Sequence, residues 1–88
     1  MAVVRTHRYT VVTGKLAQLL EQRMRLIRGL RSANPAFTAA TLIRQEDGSY
    51  LDIWRWESAE ARRGALAEAL AALTTGHTVV DGEVLVER

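Results

Sequence analysis

The sequence predicts an α+β fold of the ferredoxin-like type, in which two helices cover one face of a four-stranded antiparallel sheet. Apolar residues alternate between a period of two and a period near 3.6, in the order β-α-β-β-α-β. A short polar turn with one glycine joins the two middle strands. The chain has only 88 residues, which suits a single domain and leaves no room for a second one. We therefore expect one domain over residues 1–88.

A change of period marks the first two elements. Residues 3–12 are rich in β-branched side chains and stop at Thr13-Gly14, which predicts a strand. From Lys15 to about Ser32, leucine and isoleucine recur at intervals of three and four, which predicts an amphipathic helix. Asn34-Pro35 ends this helix, because the residue before a proline avoids the helical region.

The middle of the chain predicts a β-hairpin. Residues 37–45 form its first strand, the polar segment 46–49 its turn, and residues 50–56 its second strand. Ser58 is a candidate N-cap for an alanine-rich helix over residues 59–73, which Thr74-Thr75-Gly76 would close. His77 would then lie in an exposed loop. Asp81-Gly82 predicts a turn, and residues 84–86 a short final strand.

Composition excludes several classes of protein. Hydrophobic residues make up 48% of the chain, too many for a disordered segment. No apolar run is long enough to cross a bilayer, and the first residues lack a secretory signal, so we expect a cytoplasmic protein without a membrane partner. Cysteine is absent, which excludes disulfides and thiolate metal sites. A net charge of +2 is too small to indicate a nucleic-acid partner.

The strands predict a second copy of the chain as a partner. In the third strand, one face carries two tryptophans and a tyrosine, while the other carries Leu51 and Ile53. Two helices can cover only one face of a sheet, so the second apolar face needs another cover. We expect a homodimer in which sheet packs against sheet. The alternative is a monomer with scattered exposed apolar residues.

Three short segments resemble the antibiotic biosynthesis monooxygenase (ABM) family. Thr13-Gly14-Lys15 resembles the Pro-Gly-Lys turn after the family's first strand, and residues 34–37, Asn-Pro-Ala-Phe, resemble its Pro-Gly-Phe segment before the second. Residues 53–61 resemble its Trp-x-Ser run at the start of the second helix. The similarity covers nearly the whole chain.

This resemblance implies a dimeric α/β barrel with a ligand cleft between the sheet and helices of each subunit. The family includes oxygenases of aromatic polyketides that use neither metal nor flavin, quinol oxygenases and haem-degrading enzymes. Trp56 matches a tryptophan of the haem-degrading branch, but His7 stands at the position of its asparagine, and no histidine occurs between Ala59 and Leu73. Haem is therefore not expected. The sequence also lacks a metal-ligand motif, so no metal is expected either.

Arg23 is the residue whose position is hardest to explain by packing alone. It falls near the centre of the apolar stripe of the first helix, where an unpaired charge is costly. It could hold a substrate anion in the cleft. Alternatively, it pairs with Asp52 or extends to the edge of the helix.

The strands supply the other candidate site residues. His7 and Tyr9 share one strand face, and a neutral imidazole is a suitable base for an acidic aromatic C–H or O–H. Tyr50, Asp52, Trp54 and Trp56 share a face of the third strand, and flat indole rings suit the walls of a pocket for a planar polycycle. Core packing is the alternative for each aromatic ring. The candidate catalytic residues are His7, Arg23 and Trp56, and the candidate substrate-binding residues are Tyr9, Tyr50, Asp52 and Trp54.

Together with these residues, the resemblance to the ABM family implies an oxygenase that needs no cofactor other than its co-substrate dioxygen. It would act on an electron-rich aromatic such as an anthrone, a hydroquinone or a polyketide. His7 would remove a proton and Arg23 would stabilise the resulting anion. A non-catalytic ligand-binding or dimerisation module is the alternative from another class, favoured if Arg23 pairs with Asp52 or Glu57. A polyketide cyclase or isomerase of the same fold is a third possibility.

Overall fold

The computed structural model describes residues 1–61 and 66–87. Four strands and two helices follow one another in the predicted order. They are β1 (Val3–Val11), α1 (Leu16–Ala33), β2 (Phe37–Arg44), β3 (Tyr50–Trp56), α2 (Leu66–Ala69) and β4 (Thr74–Glu83).

The strands form one antiparallel sheet in the spatial order β2-β3-β1-β4. The first and third strands lie in the middle, where His7 pairs with Asp52 and Arg5 with Trp54. This order and the helices on one face confirm the predicted ferredoxin-like fold. The hairpin between β2 and β3 is also as predicted, because Gly48 has a φ of +87° and the Asp47 carboxylate accepts bonds from the backbone N–H and hydroxyl of Ser49.

The first helix ends where Pro35 predicts. The backbone N–H of Asn34 still donates to Leu30 O at 2.8 Å, but Asn34 itself is extended. Its side-chain oxygen accepts from the N–H of Ala36, and its side-chain nitrogen donates to Ala61 O at 2.5 Å. The asparagine thus ends the helix and ties it to the segment after β3.

The predicted helix over residues 59–73 is wrong in its extent. Helical structure is limited to Leu66–Ala69, and residues 62–65 of the predicted helix lie outside the described residues. The Ser58 hydroxyl accepts from the N–H of Ala61, the contact expected of an N-cap, but residues 57–61 form bends and a turn. After α2 the chain makes a tight turn, in which Leu73 N–H donates to Leu70 O. The carbonyl of Leu73 accepts from Val12 N–H, which ties this turn to the end of β1.

The predicted final strand over residues 84–86 is also wrong. The last strand begins at Thr74 and includes Asp81 and Gly82, which pair with Arg5 and Val4 of β1. Residues 78–83 pair in regular register with the free edge of β1, and the Arg5 guanidinium donates to Asp81 at 2.7 Å. Residues 84–86 follow the strand, tied by one bond from Val84 N–H to Ala2 O.

A β-bulge interrupts the pairing of β1 with β4. The register shifts between Arg8 and Thr10, and Gly76, opposite this point, has a φ of +63°. Only glycine adopts this left-handed conformation without strain, and it is common at bulges. The bulge leaves both Thr74 and His77 on the face of the sheet that meets the helices.

The two faces of the sheet differ in what covers them. We call the face toward the helices the inner face, and it holds most of the core. The buried apolar residues are Val3, Tyr9, Leu19, Phe37, Trp54, Trp56, Leu66, Leu70 and Leu73. The opposite, outer face is covered by neither α1 nor α2 and leaves Ile43 and Val80 exposed. Over residues 1–61 and 66–87, no helix is both long and apolar enough to span a membrane.

Candidate functional site

Asp52 is the centre of a buried polar cluster on the inner face. It lies in the middle of β3, where the alternation of side chains along the strand points it toward α1, and it is fully buried. It accepts hydrogen bonds from three side chains. The Tyr9 hydroxyl donates at 2.7 Å, the Trp54 indole N–H at 2.7 Å, and the Arg23 guanidinium through Nε and Nη2 at 2.8–3.0 Å. We call Asp52, Arg23, Tyr9 and Trp54 the Asp52 cluster.

The Asp52 cluster satisfies its own charges. The Arg23 side chain is 14% exposed and its fork meets the carboxylate with two nitrogens, a geometry that is both strong and directional. Burial raises the pKa of Tyr9, and the charge of Asp52 and its hydrogen bond raise it further. The tyrosine is therefore a hydrogen-bond donor at all ordinary pH values. The pairing of Arg23 with Asp52 is one of the arrangements that the sequence left open.

A second polar pair lies beside this cluster. His7 of β1 is 3% exposed, and its Nδ1 lies 2.9 Å from Nε2 of His77 in β4. The remaining ring nitrogens, His7 Nε2 and His77 Nδ1, are buried and have no hydrogen-bond partner in the described part of the chain. We call these two residues the imidazole pair. Unlike the Asp52 cluster, it leaves buried polar atoms unsatisfied, which is rare and needs a reason.

Burial keeps both imidazoles neutral near pH 7. Desolvation lowers the pKa of His7 to about 4, and the nearby His77 adds a smaller effect in the same direction. Desolvation also lowers the pKa of His77, against an opposing effect of Asp52 and Glu68. One imidazole of the pair must donate to the other, so the structure is compatible with a free lone pair on either orphaned nitrogen.

Aromatic rings connect the two polar groups. The ring of His7 meets Trp54 edge to face at 5.9 Å, and Trp54 lies 6.1 Å from Trp56. Phe37 contacts both tryptophans at 5.2 and 5.3 Å. The Trp56 indole N–H is buried and has no acceptor among the described residues. An unpaired hydrogen-bond donor and an unpaired nitrogen base therefore lie on the same inner face.

Tyr50 contributes least to this arrangement. Its ring stacks on Tyr9 at 6.2 Å, but it is only half-buried, and its hydroxyl accepts from Arg44 Nε at 3.1 Å near the hairpin. The structure thus brings six of the seven predicted site residues into one connected group and leaves the Tyr50 hydroxyl at its edge.

One well-formed cavity of the described residues does not lie between the sheet and the helices. A cavity of about 560 Å³ lies where the β2–β3 turn approaches the bulge, lined by Arg8, Tyr9, Thr10, Asp47, Gly48, Ser49, Gly76 and Thr78. Of the predicted site residues, Tyr9 alone lines it. On the inner face, Trp54, Trp56 and Leu19 are fully buried and pack closely. The part of the predicted cleft that these residues define is therefore closed in this conformation.

Sequence reasoning missed two residues of the site. His77 was expected in an exposed loop, but it is half-buried within β4 and contacts both His7 and Tyr9. Phe37 was treated only as the start of a strand. The run of β-branched residues after His77, Thr78-Val79-Val80, was the available signal that His77 lies in a strand. In the described residues, no group of three or more His, Asp or Glu side chains could hold a metal ion.

This architecture defines a class of small ferredoxin-like proteins with a polar and aromatic site on the helix-covered face of the sheet. No model of a known protein family matches the sequence, and no curated protein matches it. Solved structures do match. The chain is similar over 99% of its length, at 26% identity and a TM-score of 0.68, to 98% of SnoaB, a cofactor-independent oxygenase from Streptomyces nogalater.

Two further structures extend the comparison. A point variant of MhuD, solved with two manganese protoporphyrin IX molecules per active site, is 28% identical, with a TM-score of 0.67 over 98% of this chain and 97% of that one. A candidate antibiotic biosynthesis monooxygenase from Caulobacter crescentus is 14% identical, with a TM-score of 0.78 over 97% of this chain and 91% of its own, and shows the fold alone. The predicted resemblance to the ABM family is confirmed by these structures.

The fold alone does not decide the chemistry of the site. SnoaB is a cofactor-independent oxygenase, whereas the MhuD variant binds manganese protoporphyrin IX. The same fold therefore serves both kinds of site, and the side chains of this chain must distinguish between them.

Proposed function

We propose that this protein is a cofactor-independent monooxygenase of the ABM type, acting as a cytoplasmic homodimer of 88-residue domains on an electron-rich aromatic such as an anthrone. The observation that carries this proposal is the buried Nε2 of His7, beside Trp54 and without a hydrogen-bond partner among the described residues. A neutral imidazole nitrogen held in an apolar environment is a proton acceptor for an acidic C–H or O–H. The likeness to SnoaB supports the same reaction class.

The proposed reaction balances without a cofactor. His7 Nε2 takes one proton from an activated methylene group of the substrate, and the carbanion gives an electron to dioxygen. The two radicals combine into a peroxide at that carbon. The peroxide then loses its second C–H proton as its O–O bond breaks, which leaves a carbonyl and releases one water. One oxygen atom enters the product and the other leaves as water.

The surrounding side chains have separate roles in this proposal. Trp54 and Trp56 provide flat surfaces for the aromatic substrate, and the Trp56 N–H can donate to an oxygen that gains negative charge. Substrate entry requires these packed rings to separate from α1. The prediction that Arg23 stabilises the anion remains a prediction, and the Asp52 carboxylate already offsets much of its charge.

The residues present do not fit a haem. Residues 59–73 contain no histidine, and the nitrogens of His7 and His77 are either bonded to each other or buried. A porphyrin is larger than a tricyclic aromatic and would have to displace both tryptophans from the core. We therefore expect no Soret shift when haemin is titrated into the protein, and a stoichiometric shift would contradict this proposal.

The experiment is oxygen uptake with dithranol, a hydroxylated anthrone, under air. We expect turnover by the wild-type protein and a loss of about 100-fold or more in kcat for His7→Gln, the scale of general base catalysis. Arg8→Gln, the adjacent exposed position on the same strand, is the matched control and should stay near wild type. Wild-type activity in His7→Gln would show that His7 is not the base.

The pairing of Arg23 with Asp52 favours a second candidate, a non-catalytic ligand-binding or dimerisation module. A buried carboxylate with three donors and a fully packed aromatic core are typical of a structural role. Binding of dithranol without oxygen uptake or product would support this module. Product formation without oxygen uptake would instead support a cyclase or isomerase.

The homodimer in this proposal is supported by the outer face of the sheet. Leu51 and Ile53 are half-buried there, and Ile43 and Val80 are 42% and 69% exposed, with neither α1 nor α2 above them. A second copy packed sheet to sheet would remove this surface from water. Light scattering should give twice the chain mass of 9.8 kDa, and Ile53→Lys should give single chains. Single chains from the wild-type protein would overturn the dimer.

A further inference from the structure

The imidazole pair is a hydrogen bond rather than half of a metal site. The ring centroids of His7 and His77 are 5.1 Å apart at an interplanar angle of 85°, and the two facing nitrogens are 2.9 Å apart. The centroid distance is close to the nitrogen distance plus the two distances from centroid to nitrogen. The nitrogens therefore point at each other almost in line, whereas two metal ligands would both point at a third position.

One proton lies between the two rings, and its position decides what the outer nitrogens can do. When His7 Nδ1–H donates to His77 Nε2, His7 Nε2 holds a free lone pair and His77 Nδ1 carries a proton. When His77 Nε2–H donates instead, His7 Nε2 carries a proton and His77 Nδ1 is free. The two neutral arrangements differ by a proton moved from one end of the pair to the other.

The charges around the pair favour an added proton on His77. His7 is 3% exposed and has the Arg5 guanidinium near it, together with the Asp52 and Asp81 carboxylates. His77 is less buried and has Asp52 and Glu68 near it. Of the remaining titratable groups, Tyr9 stays neutral and Arg23 is bonded to Asp52. Desolvation thus opposes a cation on His7 more strongly than on His77.

We propose that His77 is a positioning residue that relays protons behind His7. This inference rests on the proposed function. His77 holds His7 in the tautomer whose Nε2 can accept a proton from the substrate, and then takes the Nδ1 proton of His7 into its own Nε2. The positive charge leaves the buried ring as soon as it forms. A base that is poorly suited to carry a charge can in this way still remove a proton.

The relay also returns the pair to its starting state. After the transfer, His7 carries its proton on Nε2, where it can be donated to the oxygen that leaves as water when the peroxide breaks. His77 Nε2 then returns its proton to His7 Nδ1. One proton is taken up and one is given back, so the pair is unchanged after each turnover.

A direct test uses NMR of the full-length protein with ¹⁵N-labelled histidine. We expect a scalar coupling between His7 Nδ1 and His77 Nε2 through the hydrogen bond, and on acidification the first proton should be found on His77. In His77→Gln, the amide oxygen can still accept from His7 Nδ1, but it cannot take up a proton. His7 of this variant should therefore become protonated only at a lower pH than that at which the wild-type pair takes up its first proton. A missing coupling, or a first proton on His7, would overturn the relay whatever the activity.

Kinetics separate failure of the relay from failure of the proposed function. With dithranol, His77→Gln should lower kcat about 10-fold or more, leave KM unchanged and alter the pH profile. The control is Thr75→Gln, an exposed position in the same strand, which should match wild type. Full activity in His77→Gln together with loss in His7→Gln would overturn the relay alone. A wild-type protein that consumes no oxygen would overturn the proposed function and, with it, this role for His77.

Discussion

Two buried polar groups lie side by side on the inner face and differ in how well they are satisfied. In the Asp52 cluster, one carboxylate accepts from Tyr9, Trp54 and Arg23. In the imidazole pair, one hydrogen bond joins His7 to His77 and two nitrogens remain without partners among the described residues. A satisfied network stabilises a fold, while unsatisfied buried atoms cost stability and persist where they have a use. In the function proposed above, the first group stabilises the fold and the second carries out the chemistry.

The largest expected effect is the loss of the carboxylate at the centre of the Asp52 cluster. Asp52→Ala leaves the largely buried guanidinium of Arg23 without its counter-ion, which should lower the free energy of unfolding by about 3–5 kcal/mol. Urea denaturation measures this loss. Asp52→Asn, which keeps the shape and one acceptor oxygen, should lose less and remain folded. A loss below about 1 kcal/mol in both variants would show that the Asp52 cluster does not stabilise the fold.

The imidazole pair should make stability depend on pH. The pKa of His7 is about 4 in the folded state and near 6.5 when unfolded, so the unfolded chain binds more protons between these values. Stability should therefore rise from pH 4 to pH 6.5, and His7 should contribute about 3 kcal/mol to that rise. Urea denaturation across this range should show a smaller slope for His7→Gln than for wild type. Equal slopes would contradict the lowered pKa.

The two tryptophans provide a matched comparison of a paired and an unpaired N–H. Trp54→Phe and Trp56→Phe remove similar volume from fully buried positions, but only the first removes a hydrogen bond to Asp52. We expect Trp54→Phe to be less stable than Trp56→Phe by about 1–2 kcal/mol. The chain has only these two tryptophans, so each variant can be followed by the fluorescence of the other. If Trp56→Phe were the less stable variant, the indole N–H that has a hydrogen-bond acceptor would be that of Trp56 instead.

The smallest effect is expected at an exposed ion pair on α1. Glu21 and Arg25 are one helical turn apart, with side chains 56% and 73% exposed. Glu21→Ala should change the free energy of unfolding by no more than about 0.5 kcal/mol, because water screens the pair. This variant gives the baseline in urea denaturation against which the buried clusters are compared. If Glu21→Ala lost as much stability as Asp52→Asn, burial would not explain why the Asp52 cluster stabilises the fold more than this ion pair.

Most of the fold follows from local patterns in the sequence. The period of two in residues 3–12 and 50–56 predicts both central strands. It puts His7 on one face of the first strand, and Asp52 and Trp54 together on one face of the other, while the register of the two strands shows that these faces are the same. The change to a period of three and four predicts α1 to within a residue at each end. These elements are long and strongly periodic, so tertiary contacts do not override the local signal.

The parts that the sequence could not predict depend on contacts between distant residues. Asp81-Gly82 has the composition of a turn, but the free edge of β1 keeps it in a strand. The alternatives for Arg23 could be separated only by the packing of α1 on β3, which brings it to Asp52. His77 was wrongly predicted to lie in an exposed loop, because its partner is 70 residues away and its orientation depends on a bulge.

The bulge at Gly76 has a consequence for how this site tolerates change. Side chains along a regular strand alternate in parity, so positions 74 and 77 would face opposite sides of a regular β4. The extra residue resets that parity. Deletion of Gly76 would keep both His7 and His77 in the sequence, yet it would turn one of the two rings toward the opposite face of the sheet. The number of residues between Thr74 and His77 therefore determines the chemistry of the site as much as their identity does.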